Sequence, residues 1–304
     1  MELQAILNQM GILVAIMLAG FVCAKLGVTG PAFNRANSGV VMNVLLVCTI
    51  LASSMTSTLD MDVLEVLELT GLSVLVLVIS GAVGLVLPRL LRIPKVDSGI
   101  VFFAVMMMNS VFVAFPVIEA MYGSDGIFFA SMSNVPFNLL AYTVGVGSIR
   151  GDKGGMNLKK AMTPPLIATI VGVIILLSGI RMPSIVVQTC STIGKATVPM
   201  SMLVIGTSLG GFPVKEALSD WKVYVISFVR LIVCPVLTWL LLRLFITDSM
   251  TLGVFTVLAS APTAMLASVF SIQYDKNEKL ASQCVFISTV FSAVTMPLLI
   301  WLLF

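Results

Sequence analysis

Positive charge is confined to every second loop of this chain, and no other feature limits its fold as strongly. Ten apolar stretches can be read, at roughly 5–24, 37–56, 66–87, 98–121, 127–148, 164–180, 187–209, 221–244, 249–272 and 280–303. The loops after the odd-numbered stretches hold 13 of the 17 Lys and Arg residues. The opposite loops and the termini hold only Arg181 and Arg243, and Lys195 and Arg230 fall inside apolar stretches. Short loops rich in Lys and Arg stay cytoplasmic. The pattern predicts an all-α integral membrane protein of ten spans, multi-pass in a bacterial inner membrane, with both termini on the non-cytoplasmic side.

Composition agrees. Hydrophobic residues make up 59% of the 304 and charged residues 10%, against about 25% charged in a soluble domain. Ten spans of ~20 residues take up roughly 200 residues, which leaves only short loops. The apolar runs are continuous rather than alternating, which excludes a β-barrel. Nothing positive precedes the first stretch, so no cleavable signal peptide is expected. The net charge of +3 is used by the loops and gives no argument for a nucleic-acid partner.

Histidine is absent and the five cysteines form no C-x-x-C pair. A histidine proton relay or a histidine metal site is thereby ruled out, and no cofactor or catalytic residue is expected. No nucleophile has a plausible base nearby, which argues against an enzyme.

The longest polar stretch, residues 150–163, reads as a cytoplasmic linker rich in glycine and lysine. It divides the chain into five spans (1–149) and five more (164–304). Because five is odd, the second half inserts upside down relative to the first, an arrangement found in many secondary transporters. Arg89-Leu90, with Gly99-Ile100 ten residues later, is echoed by Arg243-Leu244 and Gly253-Val254 in the second half.

Spans four and nine, equivalent in the two halves, are both interrupted. Pro116 lies inside span four with Asn109 and Ser110 about two turns earlier, and Pro262 lies inside span nine between Ser260 and Thr263. A mid-helix proline removes a hydrogen bond and clashes with the preceding turn. A broken helix leaves N–H groups at one new end and C=O groups at the other, and it survives in hydrocarbon only beside a protein-lined cavity. The N–H ends favour an anion. Simple kinks are the alternative reading of both prolines.

Other polar residues in the spans have two readings. Asn134 and Asn138 share a helix face in span five and either bond to another helix or line the site. Lys195 and Arg230 either snorkel or cap a carbonyl, or act as counter-charges to an anion. Gly206 and Gly210 form a G-x-x-x-G that allows close helix contact. No carboxylate lies near mid-span, which argues for carboxylate-free coupling or facilitated transport.

Several of these segments resemble the auxin efflux carrier family of membrane transporters, which includes bacterial permeases for malate or malonate. The resemblance is carried by MNSVFVAFPVIEAMYG in span four, TPPLIATIVGVIILLSGIRMP in span six, TVPMSMLVIGTSLG in span seven, and APTAMLASVFSIQYDKNEKLAS with STVFSAVTMPL in spans nine and ten. It implies a ten-helix inverted-repeat fold with crossed, broken helices four and nine, similar to the bile acid/sodium symporter architecture. It also implies elevator-type movement of a small organic anion, often in a homodimer, with Asn109 and Pro116 at the crossover. Two departures are visible. Val47 stands where family members often carry proline, and Ala267 stands where plant members carry a second proline in span nine, so the ninth-helix break is expected nearer Pro262. A sodium- or proton-coupled symporter, and a sensor or anion channel, remain open alternatives.

Overall fold

The computed structural model describes residues 3–56, 62–151, 162–180, 182–211 and 220–303. Most of the expected linker, residues 152–161, lies outside them, as does Arg181. Among the described residues the chain is all helical, and no β-strand forms.

In chain order the helices are α1 (Leu3–Lys25), α2 (Pro31–Thr56), α3 (Val63–Leu90), α4 (Lys95–Met106) and α5 (Phe115–Met132). Next come α6 (Asn134–Leu140), α7 (Val146–Arg150), α8 (Pro164–Ser178), α9 (Ser184–Gly194) and α10 (Thr197–Gly211). The chain closes with α11 (Trp221–Leu242), α12 (Ser249–Ser260), α13 (Leu266–Gln273) and α14 (Glu278–Leu303).

Five helical stretches are long and apolar enough to cross a membrane: α2, α3, Ser110–Arg150, α11 and α14. The protein is therefore an integral membrane protein. The expected spans four and nine are each cut into pieces. Their first halves, α4 and α12, have 12 residues each, about 18 Å at the helical rise, too short to cross alone. Span seven was expected to be continuous but is also divided, by a turn at Lys195 and Ala196 between α9 and α10.

Wide π turns occupy Val41–Leu45, Ser110–Ala114, Ala141–Gly145 and Val229–Val233. Pro116 and Pro235 each follow such a turn by two residues. A proline ring would strike the carbonyl four residues back in a regular helix, and the wider turn relieves that clash. α5 bends at Gly123, whose φ of 62° is left-handed and suits only a residue without a Cβ.

The chain forms two compact units that interleave in sequence. Unit 1 comprises residues 1–72, 111–135 and 162–211, and unit 2 comprises 73–110, 136–161 and 212–304. Each unit thus gathers pieces of both sequence halves.

Unit 1 is packed through small residues. A Cβ on Gly206 would lie 1.9 Å from the Met17 carbonyl, and one on Gly20 would lie 2.4 Å from that of Leu203. Gly210 meets Phe21 and Ala24 in the same way. The G-x-x-x-G therefore seats α10 against α1 within the chain. Close backbone approach is what holds helices together where lipid supplies no hydrophobic drive. At the turn between α9 and α10, Thr49 Oγ1 bonds to Thr197 Oγ1 (2.7 Å) and donates to the Gly194 carbonyl (3.2 Å).

In unit 2, α4 is wedged among close neighbours. A Cβ on Gly99 would sit 1.7 Å from the Ser148 carbonyl of α7, and one on Gly145 would strike Phe103 at 2.7 Å. α4 is buried from Ile100 through Met106.

Candidate functional site

Helix α12 ends because proline follows it. The residue before a proline is pushed out of helical space, and Ala261, preceding Pro262, has φ −64° and ψ 147°. The chain stays irregular until α13 begins at Leu266. α4 ends with no such instruction: Met107 turns to φ −94°, ψ 120°, and neither proline nor glycine lies nearby in MMMNS.

The two extended pieces meet inside unit 2. Met108 and Thr263 pair as an antiparallel bridge. The Asn109 N–H donates to the Pro262 carbonyl (2.7 Å), and the Ala264 N–H donates to the Met107 carbonyl (2.9 Å). Two frayed helices thus satisfy part of each other's backbone, as a break inside a membrane must. Thr263 fastens the crossing further. Its Oγ1 donates to the Ala104 carbonyl (2.9 Å), one of the open carbonyls ending α4, and its N–H donates to Ser288 Oγ of α14 (3.1 Å).

Arg230 occupies the π turn of α11 and is fully buried. Its Nη1 donates to the Val105 carbonyl (3.3 Å), another open carbonyl of α4, and to Ser80 Oγ (3.4 Å). Its Nε and Nη2 have no oxygen or nitrogen acceptor, the guanidinium having only the weakly accepting Cys234 thiol of the same helix beside it, and Nδ2 of buried Asn109 has no partner. Among the described residues Arg230 is the one buried charged side chain. Buried donors left open in this way hold a strong preference for an acceptor, above all a charged one.

The remaining expected residues divide between the units. Ser110 and Ser260 are buried beside the crossing, Ser260 donating to its own helix at Val257 (2.8 Å). Asn138 is buried in α6 within unit 2. Asn134 belongs to unit 1, where its amide donates to Thr169 Oγ1 (3.2 Å) of α8, a bond between helices. Pro116 also belongs to unit 1 and stands in the first turn of α5, seven residues beyond Asn109. It lies two residues past the π turn of Ser110–Ala114, inside the helical stretch that begins at Ser110, where the wider turn makes room for its ring. Lys195 is exposed at the C-terminus of α9 in unit 1, where a cation complements the helix dipole.

Sequence reasoning missed the groups that tie the crossing together: the carbonyls of Ala104, Val105 and Met107, the N–H of Ala264, and Ser288. Backbone groups carry no sequence signal. Only Ser288, a hydroxyl in an apolar span, could have been noticed.

The sequence profile of the membrane transport protein family, that of the auxin efflux carriers, matches residues 5–158 and again 153–300. The chain belongs to this family. It is similar to an uncharacterized transporter of Methanothermobacter thermautotrophicus, with 29% identity over 93% of each chain. It is similar also to an uncharacterized transporter of Methanocaldococcus jannaschii, with 25% identity over 96% of this chain and 97% of that one.

Proposed function

We propose that this family member is a secondary carrier for a small organic anion, with the crossing in unit 2 as its binding site. One observation carries the reading. The crossing is flanked by buried hydrogen-bond donors without oxygen or nitrogen acceptors, on Asn109 and Arg230, and no carboxylate is buried among the described residues. An anionic guest satisfies such donors, and a cation does not.

In this reading the chain has ten spans in two inverted five-helix repeats, 1–149 and 164–304, with both termini on the non-cytoplasmic face of the membrane. Asn109, Ser110, Ser260 and the backbone around Pro262 contact the guest. Thr263, its own groups committed to Ala104 and Ser288, positions the two segments. Arg230 supplies the counter-charge while capping α4. Asn138 belongs to the same unit and is assigned to the wall. Pro116, Asn134 and Lys195 support unit 1. Unit 2 is the moving body of an elevator-type cycle, in a homodimer.

Uptake of labelled mono- and dicarboxylates into proteoliposomes tests the reading. Saturable uptake with counterflow is expected, and Asn109→Ala should lower it by about tenfold or more, the effect of losing a hydrogen bond to a charged group. Flux that never saturates, or an Asn109→Ala variant as active as the parent, contradicts it. Imposed sodium and proton gradients separate a coupled symporter from a uniporter.

A further inference from the structure

We propose that the basic end of unit 2 carries a binding site for an anionic phospholipid. A cavity of about 780 Å³ opens between the end of α3, the start of α4 and the short helix α7. Its size is that of small-molecule pockets in general.

Its chemistry is two-sided. Arg89, Arg92 and Lys95 line it, and no carboxylate does. Arg89 Nη1 donates to the Leu85 carbonyl one turn back (2.9 Å), which holds its guanidinium against α3. Arg92 stands in a left-handed turn, φ 48°, between α3 and α4. That turn brings three cations within seven residues onto one cavity. The rest of the lining is largely apolar and includes Leu85, Phe102 and Val144. Leu85 and Val144 are 57% and 47% exposed, and in an integral membrane protein such aliphatic surface faces acyl chains.

An occupant must therefore be anionic at one end and apolar along the other. A free anion would leave the aliphatic wall bare, and a neutral lipid would leave three cations without a partner. Basic pockets between transmembrane helices suit acidic headgroups, and two arginines can grip a phosphodiester bidentately. The site touches the base of α4, the helix whose far end forms the crossing, so the lipid would brace that helix. The inference does not depend on what the crossing carries, because binding is read without transport.

Native mass spectrometry of the purified full chain in detergent, titrated with dioleoylphosphatidylglycerol, dioleoylphosphatidylcholine or inorganic phosphate, tests it. One saturable phosphatidylglycerol adduct is expected, preferred over phosphatidylcholine and not displaced by equimolar phosphate. The triple variant R89Q/R92Q/K95Q should weaken it by about tenfold or more, while K222Q/K276Q/K279Q should leave it intact. Because removing three loop cations can disturb membrane topology, R89K/R92K keeps the charge and removes only the bidentate fork. It should weaken the adduct about threefold. Equal binding of the two lipids, displacement by phosphate, equal loss in both triple variants, or an unaffected R89K/R92K would overturn the site.

Discussion

The two interruptions that meet in unit 2 look alike and have different causes. At Pro262 the break is local. The ring disfavours a helical Ala261, so the sequence itself favours a stop there, which Ala261 takes at φ −64° and ψ 147°. At Met107 the break is tertiary: nothing in Met106, Met107 or Met108 opposes a helix, since methionine is a good helix former. α4 stops there because its carbonyls are taken by Thr263, Arg230 and the Ala264 N–H. One segment is broken by its own sequence and serves as the template on which the other is broken. A buried cation stabilises the second because it answers the negative end of α4.

Predictions that break or sharpen this contrast run from large to small. Gly99→Leu should cost most, about 3 kcal/mol or more, because even its Cβ falls on the Ser148 carbonyl and α4 cannot seat. Loss of the folded peak in size-exclusion chromatography would register it. Arg230→Met should remove a charge-assisted contact worth about 2–3 kcal/mol, roughly a 30- to 160-fold loss of anion affinity. Its melting temperature should fall as well, since the hydrogen bonds to the Val105 carbonyl and Ser80 go with it. A fall in stability without loss of affinity would make Arg230 purely a cap for α4.

Pro262→Ala should let α12 continue and lower carboxylate uptake by about tenfold, the scale of a sub-ångström misplacement at a binding site. Pro116→Ala, outside the crossing, should change uptake by no more than about twofold, since the π turn before it already accommodates the ring. Equal losses for both would erase the distinction between the two breaks. Thr263→Val deletes one buried hydrogen bond and should lower stability by about 1–2 kcal/mol, read as a melting shift in detergent.

Asp248 gives the smallest effect. It caps the start of α12 and accepts from the Thr251 N–H (2.7 Å) and Thr251 Oγ1. Partial burial pushes its carboxyl upward, but the hydrogen bonds from Thr251 and Met250 outweigh this and hold it below the usual aspartate range. A depressed folded value means the stabilisation is complete above the ordinary aspartate range and is lost as pH falls through the lowered one. Asp248→Asn, still a good cap, should shift stability by under about 0.5 kcal/mol at neutral pH and flatten the acid limb of the melting curve.

The sequence made some of this legible for definite reasons. Pro262 could be read because proline acts on its neighbour, and Gly206 and Gly210 because small residues at that spacing have one common use. Asn109 and Arg230 were noticed as polar groups in apolar surroundings. The break at Met107 was hidden, since its cause is a segment more than 150 residues away. Pro116 drew attention toward itself for a break that lies nine residues earlier, at Met107. The divided span seven was hidden likewise, because the contacts at its turn come from Thr49 in α2. Arg89, Arg92 and Lys95 read only as topogenic charge until the turn at Arg92 gathered them on one cavity.

The most direct test is a thermal-shift and equilibrium-binding comparison of carboxylates with their isosteric amides on the purified chain. Stabilisation by at least one carboxylate and none by its neutral amide, with the difference abolished in Arg230→Met, is the result expected of an anion site at the crossing. An amide that binds as tightly as its acid, or a carboxylate response unchanged in both Asn109→Ala and Arg230→Met, would contradict it.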